Sequence, residues 1–310
     1  MALVAVFGAS GRQGLAQIRQ LKAAGHEVRA ISRRADPFYG EDFGPVEIRP
    51  ADIYDEDSCA AAMEGVDAVF YTHPLRARVD RVQAVTTIGR AGYRAKVGRV
   101  VWNTSGWIPD KAGDPFTYGS NTKAINALWR TGVPATVFGS VLFMDNLLTN
   151  WAFPFIVNEG RYVYPHKPDL ECSWISLDDV AKFMIASIDR PDLEGAWLNI
   201  GGPEILKPQV VAQHLTDAVG RPIKYDPSTP AQFGRHLADA FGDEISEAEK
   251  EVLAAGIGAF YEYNNSSPLK PFKVDMGPVL ERIPIELETF ADWSKRQEWR
   301  LTNKPRPPAG

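Results

Sequence analysis

Three glycines near the start of the chain, Gly8, Gly11 and Gly14, have the spacing of a turn that binds phosphate. They follow an apolar run, residues 3–7, which predicts a buried strand, and they precede a helical pattern that ends near Gly25. A strand, a glycine turn and a helix in this order present free N–H groups and the positive end of a helix dipole. The motif therefore predicts that the pyrophosphate of a dinucleotide binds here.

Two arginines follow the second predicted strand, in the sequence Ser32-Arg33-Arg34. A chain that prefers NAD usually has an acid here, about 20 residues past the glycines, to hold the ribose 2′-hydroxyl. Guanidinium groups suit the 2′-phosphate of NADP instead, which a carboxylate would repel. We therefore expect NADP(H) as the cofactor. The alternative is a solvated basic loop.

Predicted strands alternate with predicted helices through the first half of the chain. The strands are residues 3–7, 27–31, 46–49, 66–71, 98–103 and 133–138. This alternation indicates an α/β fold with a Rossmann-type, doubly wound parallel sheet, in which ligands bind at the carboxyl ends of the strands. The loops expected at that edge are Gly8–Gly14, Ser32–Arg34, Asp52–Ile53, Thr72–Pro74 and Thr104–Gly106.

The second half of the chain predicts a smaller substrate lobe. We expect a dinucleotide-binding domain over residues 1–140, a C-terminal lobe over 141–300 and a tail over 301–310, with residues 173–200 returning to the first domain. Further predicted elements are helices over 76–92, 207–219 and 287–299, strands over 197–200 and 222–225, a helix over 229–260 broken near Gly242, and a loop over 264–272. Ser176 is expected to cap a helix with Asp178 and Asp179 in its first turn, which favours capping over metal binding for these acids.

Composition restricts the function classes. The chain has 310 residues, 45% of them hydrophobic, and a formal net charge of -5 without a run of Lys and Arg. We therefore expect no direct nucleic-acid partner. Apolar stretches of membrane-spanning length are absent from the sequence, and the two cysteines have no metal or disulfide spacing. We expect a cytoplasmic protein that binds a small-molecule substrate and no metal, and we leave a homodimer open.

Four segments, GASGRQG, ADIYDEDSCAAAMEGVDAVFYTHP, GVPATVFGSVLFMDNLL and SWISLDDVAKF, resemble the NmrA-like family in this order. This group is an atypical branch of the short-chain dehydrogenase/reductase superfamily, and it is related to isoflavone and phenylcoumaran benzylic ether reductases and to triphenylmethane reductase. The resemblance covers residues 2–225 and, more loosely, continues to about 300. It implies a Rossmann domain, a C-terminal substrate lobe and NADP(H) between them. The family contains both reductases and redox-sensing regulators.

The resemblance also directs attention to Tyr118 and Lys123. Reductases of the wider superfamily use Tyr-x-x-x-Lys, in which the tyrosine protonates a carbonyl oxygen and the lysine lowers the tyrosine pKa. Here the two residues are five apart, and the lysine position of the family falls on Asn121. The alternative is a packed tyrosine beside an exposed lysine. Ser105 is the candidate for orienting the substrate, and Thr104 is an equal contender.

The predicted site has three parts. The cofactor residues are Gly8, Ser10, Gly11, Arg12, Gln13, Gly14, Ser32, Arg33, Arg34, Asp52, Ile53, Thr72, His73, Pro74, Asn103 and Lys123. The catalytic candidates are Lys123, Tyr118 and Ser105, and the substrate candidates are Trp107, Phe143, Asn146, Trp151 and Trp174. His73 has a second interpretation, as an ordinary loop residue. The aromatic residues of the second half have one too, as packing between the lobes.

These observations predict an NADPH-dependent reductase of an apolar, aromatic or cyclic carbonyl or enone. The first alternative is a regulatory protein that binds NADP(H) without catalysis, which the irregular spacing of Tyr118 and Lys123 favours. The second is an epimerase or dehydratase with tightly held NADP, which would need a tyrosine–lysine pair in better register.

Overall fold

A computed structural model describes residues 1–34, 36–74, 80–109, 116–242 and 245–300. Its strands are β1 Leu3–Phe7, β2 Glu27–Ile31, β3 Glu47–Arg49, β4 Ala68–Thr72, β5 Arg99–Asn103, β6 Ala135–Ser140, β7 Leu142–Phe143, β8 Arg161–Tyr164, β9 Cys172–Ile175, β10 Trp197–Ile200, β11 Ile205–Leu206 and β12 Lys224–Pro227. Its α-helices are α1 Arg12–Ala23, α2 Glu56–Met63, α3 Arg81–Arg94, α4 Phe116–Trp129, α5 Leu177–Ala186, α6 Pro208–Val219, α7 Pro230–Asp239, α8 Glu247–Ser266, α9 Gly277–Arg282 and α10 Phe290–Lys295.

The central sheet is parallel and has the order β10-β6-β5-β4-β1-β2-β3. Val4 of β1 pairs with Val28 of β2 on one side and with Ala68 of β4 on the other. The chain therefore runs outward from β1 to β3 and then returns to continue beyond β4. This order confirms the predicted doubly wound α/β fold, and it puts the topological switch point between β1 and β4.

Strand β1 is apolar throughout because both of its faces are covered. Val4 and Val6 belong to one core cluster together with Ile18 of α1. Ala5 and Phe7 point to the opposite face, where a second cluster is built with helices α2, α3 and α4. The continuous run of apolar residues thus reflects a central strand between two helical layers.

The later elements extend this framework. Strand β10 pairs in parallel with β6 at the edge of the central sheet. Strands β11, β9 and β7 form a three-stranded sheet, and β12 pairs with β8. Side chains of β8, β9, α7 and α8 meet in an aromatic cluster that consists of Tyr162, Tyr164, Trp174, Phe233 and Tyr261, with ring centroids 5.1 Å apart for Tyr164 and Phe233. The cluster packs the C-terminal half internally, whereas the alternative interpretation of the aromatic residues expected packing between the lobes.

Several element boundaries differ from the sequence predictions. The helix predicted over 229–260 is two helices, α7 and α8, and each begins with a capping box, at Thr229 and at Ser246. Helix α8 continues to Ser266, into the predicted loop over 264–272, and Tyr261 and Asn264 of its last turns are buried. Helix α10 is shorter than predicted, since Thr289 caps it by accepting the N–H of Asp292.

A 3₁₀-helix spans Met144–Leu148, and helix α3 begins at Arg81. The predicted start of α3 at residue 76 and the predicted tail over 301–310 lie outside the described residues. Within the described parts of the chain, every helix is too short or too polar to span a membrane.

Candidate functional site

The glycine turn between β1 and α1 brings backbone unusually close to backbone. Gly8 adopts a φ of +77°, and the N–H of Gly11 donates to the carbonyl oxygen of Gly8 over 2.9 Å. A Cβ atom at Gly14 would lie 2.3 Å from that same oxygen and 2.7 Å from Cα of Ala9. Any larger residue at Gly14 would therefore push α1 away from β1. The close approach aims the start of α1 at the carboxyl end of the sheet, where it can hold a pyrophosphate.

The two arginines after β2 are exposed and line the same cavity as the glycine turn. Arg34 donates from Nη1 to the hydroxyl of Tyr39 over 2.9 Å, and its backbone N–H donates to Oγ of Ser32 over 3.1 Å. The guanidinium group of Arg34 also lies 5.3 Å from the centre of the Tyr39 ring. This end of the cavity therefore presents two guanidinium groups, which suit a phosphate monoester.

Asn103 forms hydrogen bonds that orient residues beside the glycine turn. It is fully buried, and its Nδ2 donates to Oε1 of Gln13 over 2.7 Å. Its Oδ1 accepts a hydrogen bond of 2.8 Å from Oγ of Ser140. Nε2 of Gln13 in turn donates to Oγ of Ser105 over 2.9 Å. Asn103 thus orients Gln13, which holds Ser105, and it does not itself line the cavity.

The predicted residues of the loops after β3 and β4 line the cavity. Oδ1 of Asp52 accepts the backbone N–H of Tyr54 over 3.0 Å. Thr72 accepts a hydrogen bond from Nε2 of Gln17 over 3.1 Å, and Nδ1 of His73 lies 2.9 Å from the hydroxyl of Tyr71. Asp52 and Thr72 are therefore oriented by their own neighbours in the fold.

One continuous cavity of about 1760 Å³ connects these loops to the C-terminal half of the chain. Of the predicted residues, Asn103, Trp107 and Trp174 are not part of its lining. Those that line it are Gly8, Ser10, Gly11, Arg12, Gln13, Gly14, Ser32, Arg33, Arg34, Asp52, Ile53, Thr72, His73, Pro74, Ser105, Tyr118, Lys123, Phe143, Asn146 and Trp151. Among the described residues, no group of three or more His, Cys, Asp and Glu side chains could hold a metal ion.

Tyr118 and Lys123 have very different surroundings. The ring of Tyr118 is buried, and its hydroxyl donates to Oδ1 of Asn264 in α8 over 2.9 Å. Burial raises the pKa of Tyr118 well above its ordinary value. The side chain of Lys123 is exposed at the cavity. The tyrosine therefore joins α4 to α8, while the lysine remains accessible to a ligand.

Two of the three tryptophans predicted to contact substrate, Trp107 and Trp174, are not part of the cavity lining. Trp107 packs edge-on against Tyr118, with ring centroids 5.4 Å apart. Trp174 is 2% exposed and belongs to the aromatic cluster of the lobe. Trp107 thus contacts the cavity lining through Tyr118 and Asn121, and Trp174 supports the lobe from inside.

A wall of the cavity that the sequence interpretation missed comes from α8. Leu253, Gly256, Ile257 and Phe260 all line the cavity. Their spacing of three and four residues puts them on one face of the helix. This periodicity was the available signal, and the sequence interpretation did not use it.

The helix after the glycine turn also contacts the lobe directly. Nη1 of Arg12 donates to the backbone oxygen of Asp145 over 3.1 Å, and Nη2 lies 3.4 Å from Oδ1 of Asn146. Oδ2 of Asp145 accepts the N–H of Leu177 at the start of α5 over 2.9 Å. Burial raises the pKa of Asp145 to about 6, against the opposing effects of the Leu177 N–H and Arg12. This segment therefore links two helix N-termini to the 3₁₀-helix.

A family model decides the relationship of this chain to known proteins: the model of the NmrA-like family matches residues 1–293. The chain belongs to this family. The resemblance inferred from the sequence segments is thereby confirmed, and the matched residues agree with its stated extent to about residue 300.

Known proteins to which the chain is similar carry the names of enzymes and of a regulator. A protein of Xenophilus azovorans named NAD(P)H azoreductase is 26% identical, over 79% of this chain and 85% of that protein. The NADPH-dependent quinone oxidoreductase of Escherichia coli, solved with NADPH, has a TM-score of 0.71 at 17% identity, covering 94% of this chain and 98% of that one. NmrA, a negative transcriptional regulator solved with NADP, has a TM-score of 0.71 at 16% identity, covering 95% of this chain and 94% of that one. These structural likenesses establish the fold.

Proposed function

We propose that this NmrA-like chain is an NADPH-dependent reductase of apolar small molecules that carry a carbonyl or enone in an aromatic or cyclic framework. The observation that carries the proposal is the continuous cavity from the glycine turn to the apolar face of α8. Pockets for one small molecule usually have about 300–1,000 Å³. At about 1760 Å³, this cavity has room for a dinucleotide and a second organic ligand.

NADP(H) fits the polar half of the cavity. The glycine turn would hold the pyrophosphate, because the missing side chain at Gly14 lets the start of α1 approach it. Arg33 and Arg34 would hold the 2′-phosphate, and no acid stands among residues 32–34 to repel it. Bound NADPH supplies a hydride to the substrate. The names of the azoreductase and quinone oxidoreductase relatives support this cofactor.

The nicotinamide half of such a dinucleotide would lie toward β4 and β5, because the arginines occupy the opposite side of the switch point. Ser105 follows β5, and its Oγ is held by Gln13. We assign to Ser105 the orientation of a substrate oxygen. Lys123, exposed at the same cavity, would contact the nicotinamide ribose or the substrate.

The proton that completes the reduction would come from Lys123 or from water. Tyr118 is less suited to this role in the conformation observed, because its proton is directed to Asn264 and burial raises its pKa. The apolar wall of α8 would exclude water from the substrate carbon that accepts the hydride. The acceptor itself is expected to be flat and unsaturated, as quinones and azo compounds are, which agrees with the names of the relatives.

The experiment that tests this proposal follows NADPH oxidation with the purified full chain. Quinones, cyclic enones and aromatic ketones are supplied one at a time, with NADH as the matched control cofactor. Oxidation that depends on one of these acceptors, and that is faster with NADPH, would support the proposal. Tight NADPH binding without oxidation by any acceptor would contradict it.

A second candidate is a dinucleotide-binding regulator, which two observations favour. The hydroxyl of Tyr118 is already bonded to Asn264, and Arg12 connects the glycine turn to the lobe, so that a bound dinucleotide could change the lobe surface. The fold of NmrA is consistent with this role. Comparison of hydrogen exchange with NADP⁺ and NADPH tests it. In a regulator that senses redox state, the amide hydrogens of the C-terminal lobe should exchange at different rates with NADP⁺ and with NADPH. Equal exchange rates with the two forms would count against this role.

A further inference from the structure

Arg81, the first residue of α3, is a charged residue of the cavity lining that has no role in the reaction proposed above. Its side chain is half-buried and lines the cavity beside the first turns of α4. Nη1 donates to Oδ1 of Asn121, which is 2% exposed, and lies 3.5 Å from Oγ of Ser120. Asn121 is fixed in turn, because its Nδ2 donates to the backbone oxygen of Trp107 over 3.0 Å. The guanidinium group is therefore held in one orientation.

Among the described residues, the side chain of Arg81 contacts Ser120 and Asn121, and it has no carboxylate partner there. The neighbouring carboxylate of Asp80 accepts the N–H groups of Val82 and Gln83, so it caps α3. The protein contacts of Arg81 use Nη1, and a guanidinium group has five N–H donors in all. Nε and Nη2 consequently retain donors for a ligand. Burial lowers the pKa of Arg81, and the nearby Tyr71 opposes this.

A half-buried guanidinium group without a carboxylate is costly unless an anion neutralises it. The pyrophosphate would lie at the glycine turn and the 2′-phosphate at Arg33 and Arg34. Arg81 begins α3, the helix that follows β4, and it contacts Asn121 of α4, the helix that follows β5. These strands lie on the side of the switch point where the nicotinamide half is expected. The anion at Arg81 is therefore expected to belong to the second ligand.

We infer that Arg81, held by Asn121, binds a substrate oxygen that carries or develops negative charge. This inference rests on the proposed function and narrows its substrate class to conjugated carbonyl compounds. When the hydride that bound NADPH would supply adds to the β-carbon of an enone, the C=C electron pair forms a double bond between the α-carbon and the carbonyl carbon. The π pair of the C=O bond moves onto the oxygen, which gives an enolate. Arg81 donates to that oxygen, and Lys123 or water later protonates the enolate. A quinone reacts in the same sense and yields a phenolate.

Benzoate and benzamide provide a binding test that needs no turnover, since they have similar shapes and differ in charge. Each is titrated calorimetrically into the full chain saturated with NADP⁺, so that the phosphate sites are filled. We expect the wild-type chain to prefer benzoate, and Arg81→Met to weaken benzoate about tenfold or more while leaving benzamide nearly unchanged. Arg90→Met, an exposed position on the same helix, is the matched control and should keep the preference. Melting temperatures confirm that each variant is folded.

Kinetics with the best enone or quinone supplies the second readout. Loss of a preorganised donor to a developing oxyanion costs about 10²–10³ in kcat, so Arg81→Met should lower kcat and Arg81→Lys should recover part of it. A wild-type chain without benzoate preference, or an Arg81→Met variant that keeps it, would overturn the inference. So would an unchanged kcat in Arg81→Met. If benzoate preference depends on Arg81 while the wild-type chain reduces no acceptor, the anion site stands and the proposed reaction fails.

Discussion

The hydroxyl of Tyr118 in α4 donates to Oδ1 of Asn264 in α8 over 2.9 Å, joining residues 146 positions apart. Nδ2 of Asn264 donates to the carbonyl oxygen of Phe260 over 2.7 Å, so the amide is fixed from both sides. The tyrosine that the sequence offers as a proton donor is thus a link between the dinucleotide-binding half and the apolar wall. The two roles have different consequences for mutants.

Tyr118→Phe should lower the free energy of unfolding and leave turnover largely intact. It removes one buried hydrogen bond, which contributes about 1 kcal/mol to the free energy of unfolding. Turnover should change only a few-fold if the proton comes from Lys123 or water. Urea unfolding and NADPH oxidation measure the two effects on the same preparation, and Asn264→Leu should reproduce the loss of stability.

Lys123→Ala provides the contrast to Tyr118→Phe. Because Lys123 is exposed, its removal should leave the free energy of unfolding nearly unchanged. Turnover should fall by about 10²–10⁴ if this side chain serves the proton transfer. The reverse pattern, in which Tyr118→Phe abolishes turnover and Lys123→Ala does not, would return the proton to the tyrosine.

Arg33→Ala should weaken NADPH binding by about 10- to 100-fold, which is the cost of losing one charged hydrogen bond to a phosphate. NADH lacks the 2′-phosphate, so its dissociation constant should stay nearly constant. Fluorescence titration with both cofactors measures the difference. Arg49→Ala is the matched control, because Arg49 pairs with Glu47 and does not line the cavity. Equal losses for NADPH and NADH would remove Arg33 from 2′-phosphate recognition.

Gly256→Leu should block the substrate half of the cavity and leave the dinucleotide half open. Gly256 lines the cavity from α8, and a Cβ atom there would meet no heavy atom within 4 Å. We expect KM for bulky acceptors to rise and the NADPH dissociation constant to stay unchanged. Gly256→Ala is the control, and it should stabilise α8 by up to about 1 kcal/mol through helix propensity. An unchanged KM in Gly256→Leu would mean that substrate binds elsewhere.

Asp145→Asn should change how stability depends on pH. The carboxyl group keeps its proton to about pH 6 in the folded chain, against an ordinary pKa of 3.8. Its folded pKa is thus raised, so the stability contribution is present below pH 4 and is lost as pH rises through 6. The loss amounts to about 2–3 kcal/mol. Asparagine keeps an acceptor for the N–H of Leu177 and does not ionise.

The unfolding free energies of wild type and Asp145→Asn, measured in urea from pH 4 to 8, isolate this effect. Their difference should shift in favour of the variant between pH 4 and pH 7 and then level off. Other titrating groups are common to both chains and largely cancel. Two parallel curves would show that Asp145 titrates at its ordinary pKa.

The sequence predicted the central sheet and glycine turn well because their signals are local. The apolar run of β1 and the spacing of Gly8, Gly11 and Gly14 specify the strand, the turn and the helix that follow them. Parallel order then brings the strand ends together by rules that hold for nearly all such sheets. The loops at those ends could therefore be assigned to one site without knowledge of tertiary contacts.

The substrate half could not be predicted in the same way because it depends on long-range packing. The contact between Tyr118 and Asn264 and the contact between Arg81 and Asn121 have no periodic signal in the sequence. Trp174 has the residue type of a pocket wall, but its neighbours place it in the core of the lobe. The apolar face of α8 has the expected periodicity, but which surface it covers is decided by the fold.

The most direct test of the central claim is the stopped-flow oxidation of NADPH by the purified chain when it is mixed with a quinone or cyclic enone. A reductase should show loss of nicotinamide absorbance that depends on the acceptor, follows saturation kinetics, and is slower with NADH. Gly256→Leu should lower this rate without loss of NADPH binding. Saturating NADPH that remains unoxidised with every quinone and enone would contradict the account.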